Sequence, residues 1–559
     1  MEQLFILLFK HRKPILLSLA ITLISLHVSA QVQLRDTTIT WQHFDYELNA
    51  DYSLKSHSET TIKQVSFDAK VIENELIKLI IVPSFGGRVL SFVYKPTNHE
   101  YLYESKCGAP YGINAGNFYY NWLMVWGGIF PTFPEPEHGK SWLVPFNYKV
   151  IKQTADTVRI SMDYTDDKSF SGAPGGFNNG TTNMTCTVEV CVFKGSSLWA
   201  FDVKLKNNNS ASQKYEYWTC TTLTPGSVKK NTASPLSSEI IAPMSQYKAA
   251  WSPGAWIGSN GSVRDFSRIN TLKEWPDMGI GYGYNMTDNY WGVINHDNEE
   301  GIFRISDNIE TPGMKMWTWG KNSINGNVMN FSNGANFNYI ELWAGVSSAF
   351  FTDASLAANQ TKQWKEAYSP TVGLTGITKI NNQFATHLLF DTTTNAMIYQ
   401  LNAFQPNETY RIHLFLEGVS NYTLKDADLV VDKMGLTESI SMQDLSVENG
   451  NYQAHLAMYN SDGTLLFDAQ KSISVTSTTT ITKTGIAIKV FHNSSNSVNI
   501  VCDESSNYHY KIYNINGQLV DENSFSGLSH NIQLINSGLY IIEITGSNGA
   551  YYKGKLMVR

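Results

Sequence analysis

Cysteine is scarce in this 559-residue chain: five residues, an odd number, at Cys107, Cys186, Cys191, Cys220 and Cys502. Cys186 and Cys191 lie five apart on one expected strand, on opposite faces, which makes them poor partners. No spacing suggests zinc, so neither a disulfide framework nor a metal site is expected, and most of the thiols read as small buried residues. Charge is sparse as well, at 16% of residues, low for a cytosolic protein and more usual in secreted β proteins. The balance is acidic and basic clusters are missing, which argues against nucleic acid and suits a neutral or weakly charged ligand. Beyond residue 30 no run is long and apolar enough to span a bilayer. Amphipathic helical patterns of useful length are lacking too, so the class is all-β. The glycine-rich stretch 171–180 follows no strand and opens no helix, which excludes a nucleotide-binding fingerprint, and no cofactor is expected. Before it, Asp163, Asp166 and Asp167 read as a solvated loop more readily than as a calcium site.

Aromatic residues are plentiful: 29 Tyr, 27 Phe and 14 Trp. They suit a β-rich protein and, where exposed, sugar binding. Residues 1–30 read as an export signal, with Lys10, Arg12 and Lys13 before the apolar run Pro14–Val28 and a small-residue cleavage site at Val28-Ser29-Ala30. Without it the chain keeps 39 basic against 48 acidic residues. Two β-branched runs, Asn74–Pro83 and Arg88–Tyr94, joined through Gly86-Gly87, read as strand, turn, strand. Short apolar runs and frequent turns continue to about residue 375, enough for two large stacked sheets. Residues 376–475 have the length and strand spacing of an immunoglobulin-like accessory sandwich. A Ser/Thr-rich linker covers 476–484, and 485–559 form a small unit with hairpin turns at Asn516-Gly517 and Asn548-Gly549.

Four segments carry chemistry. Trp126–Lys140 holds three prolines and three glycines, which point to an ordered loop rather than a helix or an interior strand. It brings Trp126, Glu135, Glu137, His138 and Lys140 together, and loops of that composition on rigid scaffolds commonly bind or react. In Thr311–Lys321, alternation puts Lys315, Trp317 and Trp319 on one strand face, suited to stacking on sugar rings and bonding a hydroxyl or carboxylate; the plainer reading is a core strand with one snorkelling lysine. In Tyr339–Gly345, Ile340 and Leu342 point one way and Tyr339, Glu341 and Trp343 the other. A carboxylate between two aromatics has a raised pKa and can serve as a general base near neutrality; the plainer reading is an exposed edge glutamate. Trp364 and Glu366, in the fourth segment, read as structural.

The pieces "ELIKLIIVPSFGGRVLSF", "WGGIFPTFPEPEHG", "PGMKMWTWG", "YIELWAG" and "WKEAYSP" occur in that order. They resemble an uncharacterised bacterial domain family within the galactose mutarotase-like superfamily, over about residues 60–375 of a domain placed at 31–375. The resemblance implies a β-supersandwich with a sugar-binding groove, and acid/base work by a late glutamate and a histidine, which match Glu341 and His138. Where the superfamily's second histidine is expected, this chain has Tyr217-Trp218-Thr219-Cys220-Thr221-Thr222, and His296 could replace it only from within the groove. "YNINGQLV", "SGLYIIEI" and the terminal "KLMVR" resemble a type IX secretion C-terminal sorting domain, type A. That implies the type IX machinery as a partner and a secreted or surface protein. The expected function is saccharide or polysaccharide binding, with Arg88, Trp126, Glu135, Glu137, Lys315, Trp317 and Trp319 lining the site and Glu341 and His138 as epimerase-like acid/base groups. A non-catalytic glycan-binding protein is the alternative, as is a polysaccharide lyase with Arg88 or Lys315 neutralising a uronate.

Overall fold

The computed structural model describes residues 31–50, 54–111, 122–124, 127–135, 139–141, 144–169, 181–323, 338–475, 488–493, 497–533, 538–548 and 550–558. The export signal, the stretch 171–180 and the linker 476–484 lie outside the described residues. The chain divides into two compact units, 1–475 and 476–559. Among the described residues all regular structure is strand, apart from a few 3₁₀ turns.

The first unit opens with a fourteen-stranded and an eight-stranded sheet. Alternation along each strand sends every second side chain inward, and the main core forms between the sheets. Leu79, Ile81, Phe92, Ile340 and Leu342 meet Val158, Ile160, Val188, Phe201 and Trp364 there. In the large sheet, Gly279–Tyr284, Gly313–Thr318, Ile340–Gly345 and Trp218–Ser227 are consecutive neighbours. The first half of Trp218–Ser227 pairs with Ile129–Thr132, and its second half meets His99–Leu102. Its other face carries a second aromatic cluster that includes Trp41, Phe85, Trp218, Trp319, Tyr339, Trp343 and Phe350.

The reading of Trp126–Lys140 as loop throughout needs correction, because Ile129–Thr132 is a strand despite Pro131. On one side it touches Arg88–Tyr94 only through Ile129, so beyond that point it is an edge and the absent proline N–H breaks no ladder. Gly128, at φ 83°, leads into it, and a Cβ there would lie 2.1 Å from the Val89 carbonyl oxygen. Gly128→Ala is therefore expected to destabilise the first unit by about 2 kcal/mol or more, through both the clash and the left-handed backbone. A thermal melt with an unchanged midpoint would contradict this.

Two four-stranded antiparallel sheets, between Lys379–Ile380 and Leu465–Val475, enclose a core of their own. This sandwich adheres to the preceding one: Leu374, Ile380, Ala385 and Phe404 share an apolar cluster with Tyr290, Ile294 and Phe303. The Ser197 N–H also donates to the Phe404 carbonyl at 2.8 Å.

In the second unit five strands form one sheet, with Ser497–Asn514 bonded to three neighbours. Val498, Ile500, Tyr510, Ile542 and Ile544 fill its core. Gly517, at φ 76°, makes the Asn516-Gly517 turn.

Candidate functional site

Register builds the site. Across the large sheet Thr222, Glu341 and Trp317 lie opposite one another in one row, and Phe130, Cys220, Trp343, Lys315 and Tyr282 in the next. Ile340, Leu342 and Ala344 belong to the main core, whereas Tyr339 and Trp343 belong to the cluster on the opposite face. Alternation thus turns Glu341 onto that second face, among aromatic rings.

Glu341 is only 4% exposed. The Tyr339 hydroxyl donates to its Oε1 at 2.9 Å and the Trp343 indole N–H to its Oε2 at 2.7 Å. Burial raises its pKa above the usual carboxylate value, against the pull of Lys315 and of those two hydrogen bonds. The Lys315 ammonium stands over the Trp343 ring at 3.9 Å and the Phe350 ring at 4.5 Å. Trp317 is half-buried and meets Trp319 edge-on at 4.7 Å, whereas Lys315 and Trp319 are buried, so much of this face packs within the aromatic cluster. Tyr339 stacks on Tyr103 at 4.3 Å.

Cys220 and Phe350 are the members that sequence reasoning missed. Burial drives the Cys220 thiol pKa well up, as does the negative charge of Glu341, while Lys315 and Arg88 draw it down. The thiol therefore sits within electrostatic reach of all three. Phe350 covers the row edge-on, 4.9 Å from Trp218 and 5.3 Å from Trp343. Alternation from Trp218 was a signal for Cys220; nothing local marks Phe350, which reaches the face from a turn.

Several expectations need correction. Arg88 is fully enclosed rather than lining an open groove. Its guanidinium donates to the Phe85 and Gly127 carbonyls at 2.8 and 3.0 Å and lies 4.4 Å from the Phe130 ring centre. Burial lowers its pKa towards about 9, so it remains cationic at neutral pH. Asp166 does not sit in a solvated loop: it is buried, ion-paired with Lys140, and accepts the Thr182 N–H and hydroxyl at 2.6 and 2.8 Å. His296 is held away from Glu341, at the end of a strand of the eight-stranded sheet, between Glu239 and Glu299 at 2.8 Å each. Within Tyr217–Thr222, the stretch without the expected second histidine, the Trp218 ring packs on Gly345, so close that a Cβ there would lie 2.4 Å from it. Glu135 is 1% exposed and enclosed in the interior. Trp126, Glu137 and His138 lie outside the described residues.

Residues 490–559 match the model of the secretion system C-terminal sorting domain. The chain ends in that sorting domain. It directs the protein by type IX secretion to the cell surface or the exterior. No helix among the described residues is long and apolar enough to cross a membrane. Residues 46–172, which include the Trp126–Lys140 segment, match a domain of unknown function, DUF5107. Solved structures similar to the sorted protein include a TPR-domain containing protein from Parabacteroides distasonis, at 17% identity and TM-score 0.48, over 61% of this chain and 56% of that one. The chain thus spans little more than half the length of that relative. Others are a putative aldose 1-epimerase from Klebsiella pneumoniae, at 12% identity and TM-score 0.39 over 60% and 91% of the two chains. A galactose mutarotase-like protein from Clostridium acetobutylicum matches at 8% identity and TM-score 0.37, over 54% and 95%.

Proposed function

We propose that this exported protein binds a saccharide over the aromatic face of the large sheet and that Glu341 serves there as general base. The observation that carries the reading is the setting of Glu341, a nearly enclosed carboxylate between Tyr339 and Trp343 with Lys315 close by. Burial lifts its pKa, so it takes a proton from a sugar hydroxyl more readily than a free carboxylate does. Trp317, half-buried, offers ring surface for stacking with Trp319 packed behind it, and Lys315 a donor for a hydroxyl or a carboxylate. His138 is proposed as the acid, on the resemblance of its motif, with Trp126, Glu135 and Glu137 on the same segment.

A non-catalytic glycan-binding role is the second reading. It is favoured by the stretch Tyr217–Thr222, which holds no imidazole where the resemblance implies a second histidine. The test is a product screen and a glycan array with the mature chain lacking its sorting domain, beside His138→Ala and Glu341→Gln. An epimerised sugar, lost in both variants, supports the enzyme. Binding without turnover, indifferent to Glu341→Gln, supports the binding protein. An unsaturated sugar end absorbing in the ultraviolet would identify a lyase instead.

A further inference from the structure

The turn 346–353, which carries Phe350 onto the aromatic face, also holds a strained residue. Phe351 has φ 62°, in the left-handed region, and it is 64% exposed. A bulky side chain rarely adopts that backbone, because its Cβ crowds the following carbonyl. Six of the ten non-glycine residues with positive φ among the described residues are asparagines, and Phe351 is the one aromatic. Burial does not offset the strain, since most of the residue faces water. A lone exposed phenylalanine needs no explanation, but one held out on a strained backbone does.

The turn around Phe351 is fixed at several points. The Val346 N–H donates to the Tyr217 carbonyl at 3.1 Å, and the Phe350 N–H to the Tyr282 hydroxyl oxygen at 3.1 Å. The Ser347 hydroxyl donates to the Thr352 carbonyl across the turn, and Ala354 pairs with Tyr215 beyond it. These contacts hold the backbone on either side of Phe351 while its side chain stays largely outside. The ring meets Phe350 edge-on at 6.2 Å. Phe350 in turn stands 5.3 Å from Trp343 and 4.5 Å from the Lys315 ammonium. Phe351 thus sits at the rim of the proposed saccharide face, with Phe350 and Trp343 linking it to Glu341.

We propose that Phe351 is a stacking platform for a second sugar unit, so that the ligand is an oligosaccharide rather than a single sugar. The apolar C–H face of a pyranose covers an exposed aromatic ring, and a ring already held in place loses little freedom on binding. Two intervening rings put this unit beyond the one whose hydroxyl meets Glu341. The role of Phe351 is therefore binding and selection for length, not proton transfer. The platform rests on the saccharide reading; the strained display of the ring does not.

The test is calorimetric titration of the full mature chain with the mono-, di- and hexasaccharides of the cellulose, xylan, mannan and starch series, beside thermal melts. In a series that binds, the hexasaccharide is expected to bind about tenfold or more tightly than its monosaccharide. Phe351→Gly is expected to lose about three- to tenfold in affinity for the hexasaccharide and to leave the monosaccharide unchanged. It should melt at the same temperature or higher, because glycine accepts the left-handed backbone. Phe351→Trp keeps a ring and is expected to retain the preference for length. Hexasaccharide affinity undiminished in Phe351→Gly overturns the platform. A lower melting midpoint in that variant overturns it too, since the ring would then serve packing. Dimerisation of the wild type that Phe351→Gly abolishes also overturns it, by giving the ring to a second copy of the chain. If the wild type binds sugars without regard to length, the platform alone falls; if it binds none, the saccharide reading falls and takes the platform with it.

Discussion

Glu341→Gln is expected to lower turnover on a responsive saccharide by about 10²–10⁴-fold while changing its binding no more than a few-fold. The amide is nearly isosteric and still accepts a hydrogen bond through Oε1, so the Tyr339 contact at 2.9 Å survives. The other position becomes an NH₂ facing the Trp343 indole N–H, where a carboxylate oxygen accepts at 2.7 Å. That exchange disturbs the aromatic face locally but leaves the bulk of the stacking surface intact, which is why binding is retained. What disappears is the only form able to take up a proton. The pH profile follows from the same carboxyl. A general base works deprotonated, and burial raises this one, so the acid limb of kcat/KM should fall at a higher pH than for a free glutamate. An unchanged rate in the variant, or an acid limb at the ordinary carboxylate value, would remove Glu341 from the chemistry.

Arg304→Met carries the largest expected loss of stability, about 3–5 kcal/mol in the first unit. Arg304 and Glu366 are both enclosed between the two sheets and meet at 2.8 Å. Glu366 also accepts the Thr219 hydroxyl and the Trp364 indole N–H at 2.8 Å each, and the Tyr368 hydroxyl at 2.9 Å. Thr219 comes from the large sheet and Glu366 from the smaller one, so the pair is a polar rivet through the core. Arg304 itself reaches the Thr311 hydroxyl at 2.8 Å and lies over the Trp291 ring at 4.4 Å. Removing the cation strands a buried carboxylate. Adding Glu366→Gln to Arg304→Met should therefore restore much of the loss, because it removes the stranded charge. Denaturant midpoints of the two single variants and the double variant measure this; additive losses would contradict the pairing.

The contrast between these two glutamates shows how much was legible beforehand. Both follow the same pattern, a carboxylate flanked at i−2 and i+2 by aromatics, Tyr339 and Trp343 or Trp364 and Tyr368. Period-two alternation correctly puts each trio on one face of its strand. It does not tell which side of which sheet that face meets. Glu341 faces the aromatic cluster on the outer side of the large sheet, and Glu366 the core, opposite an arginine 62 residues away in sequence. Arg88 reads from sequence as a ready cation for a ligand, yet the close pass of Gly127 and Phe130 encloses it. Asp166 reads as a loop acid until Lys140 arrives from the other segment.

By itself the sequence determined the local terms: an all-β chain, strand faces, the Asn516-Gly517 turn, unpaired cysteines and a sorting domain at the C-terminus. These depend on φ/ψ preferences and on alternation over a few residues, which neighbours alone decide. Only the tertiary structure decided the cover that Phe350 lays over the site, the enclosure of Arg88, the placing of His296 away from Glu341 and the meeting of Arg304 with Glu366. Each depends on pairing between strands many residues apart, and desolvation, which sets the charge state of these groups, exists only after that pairing has formed.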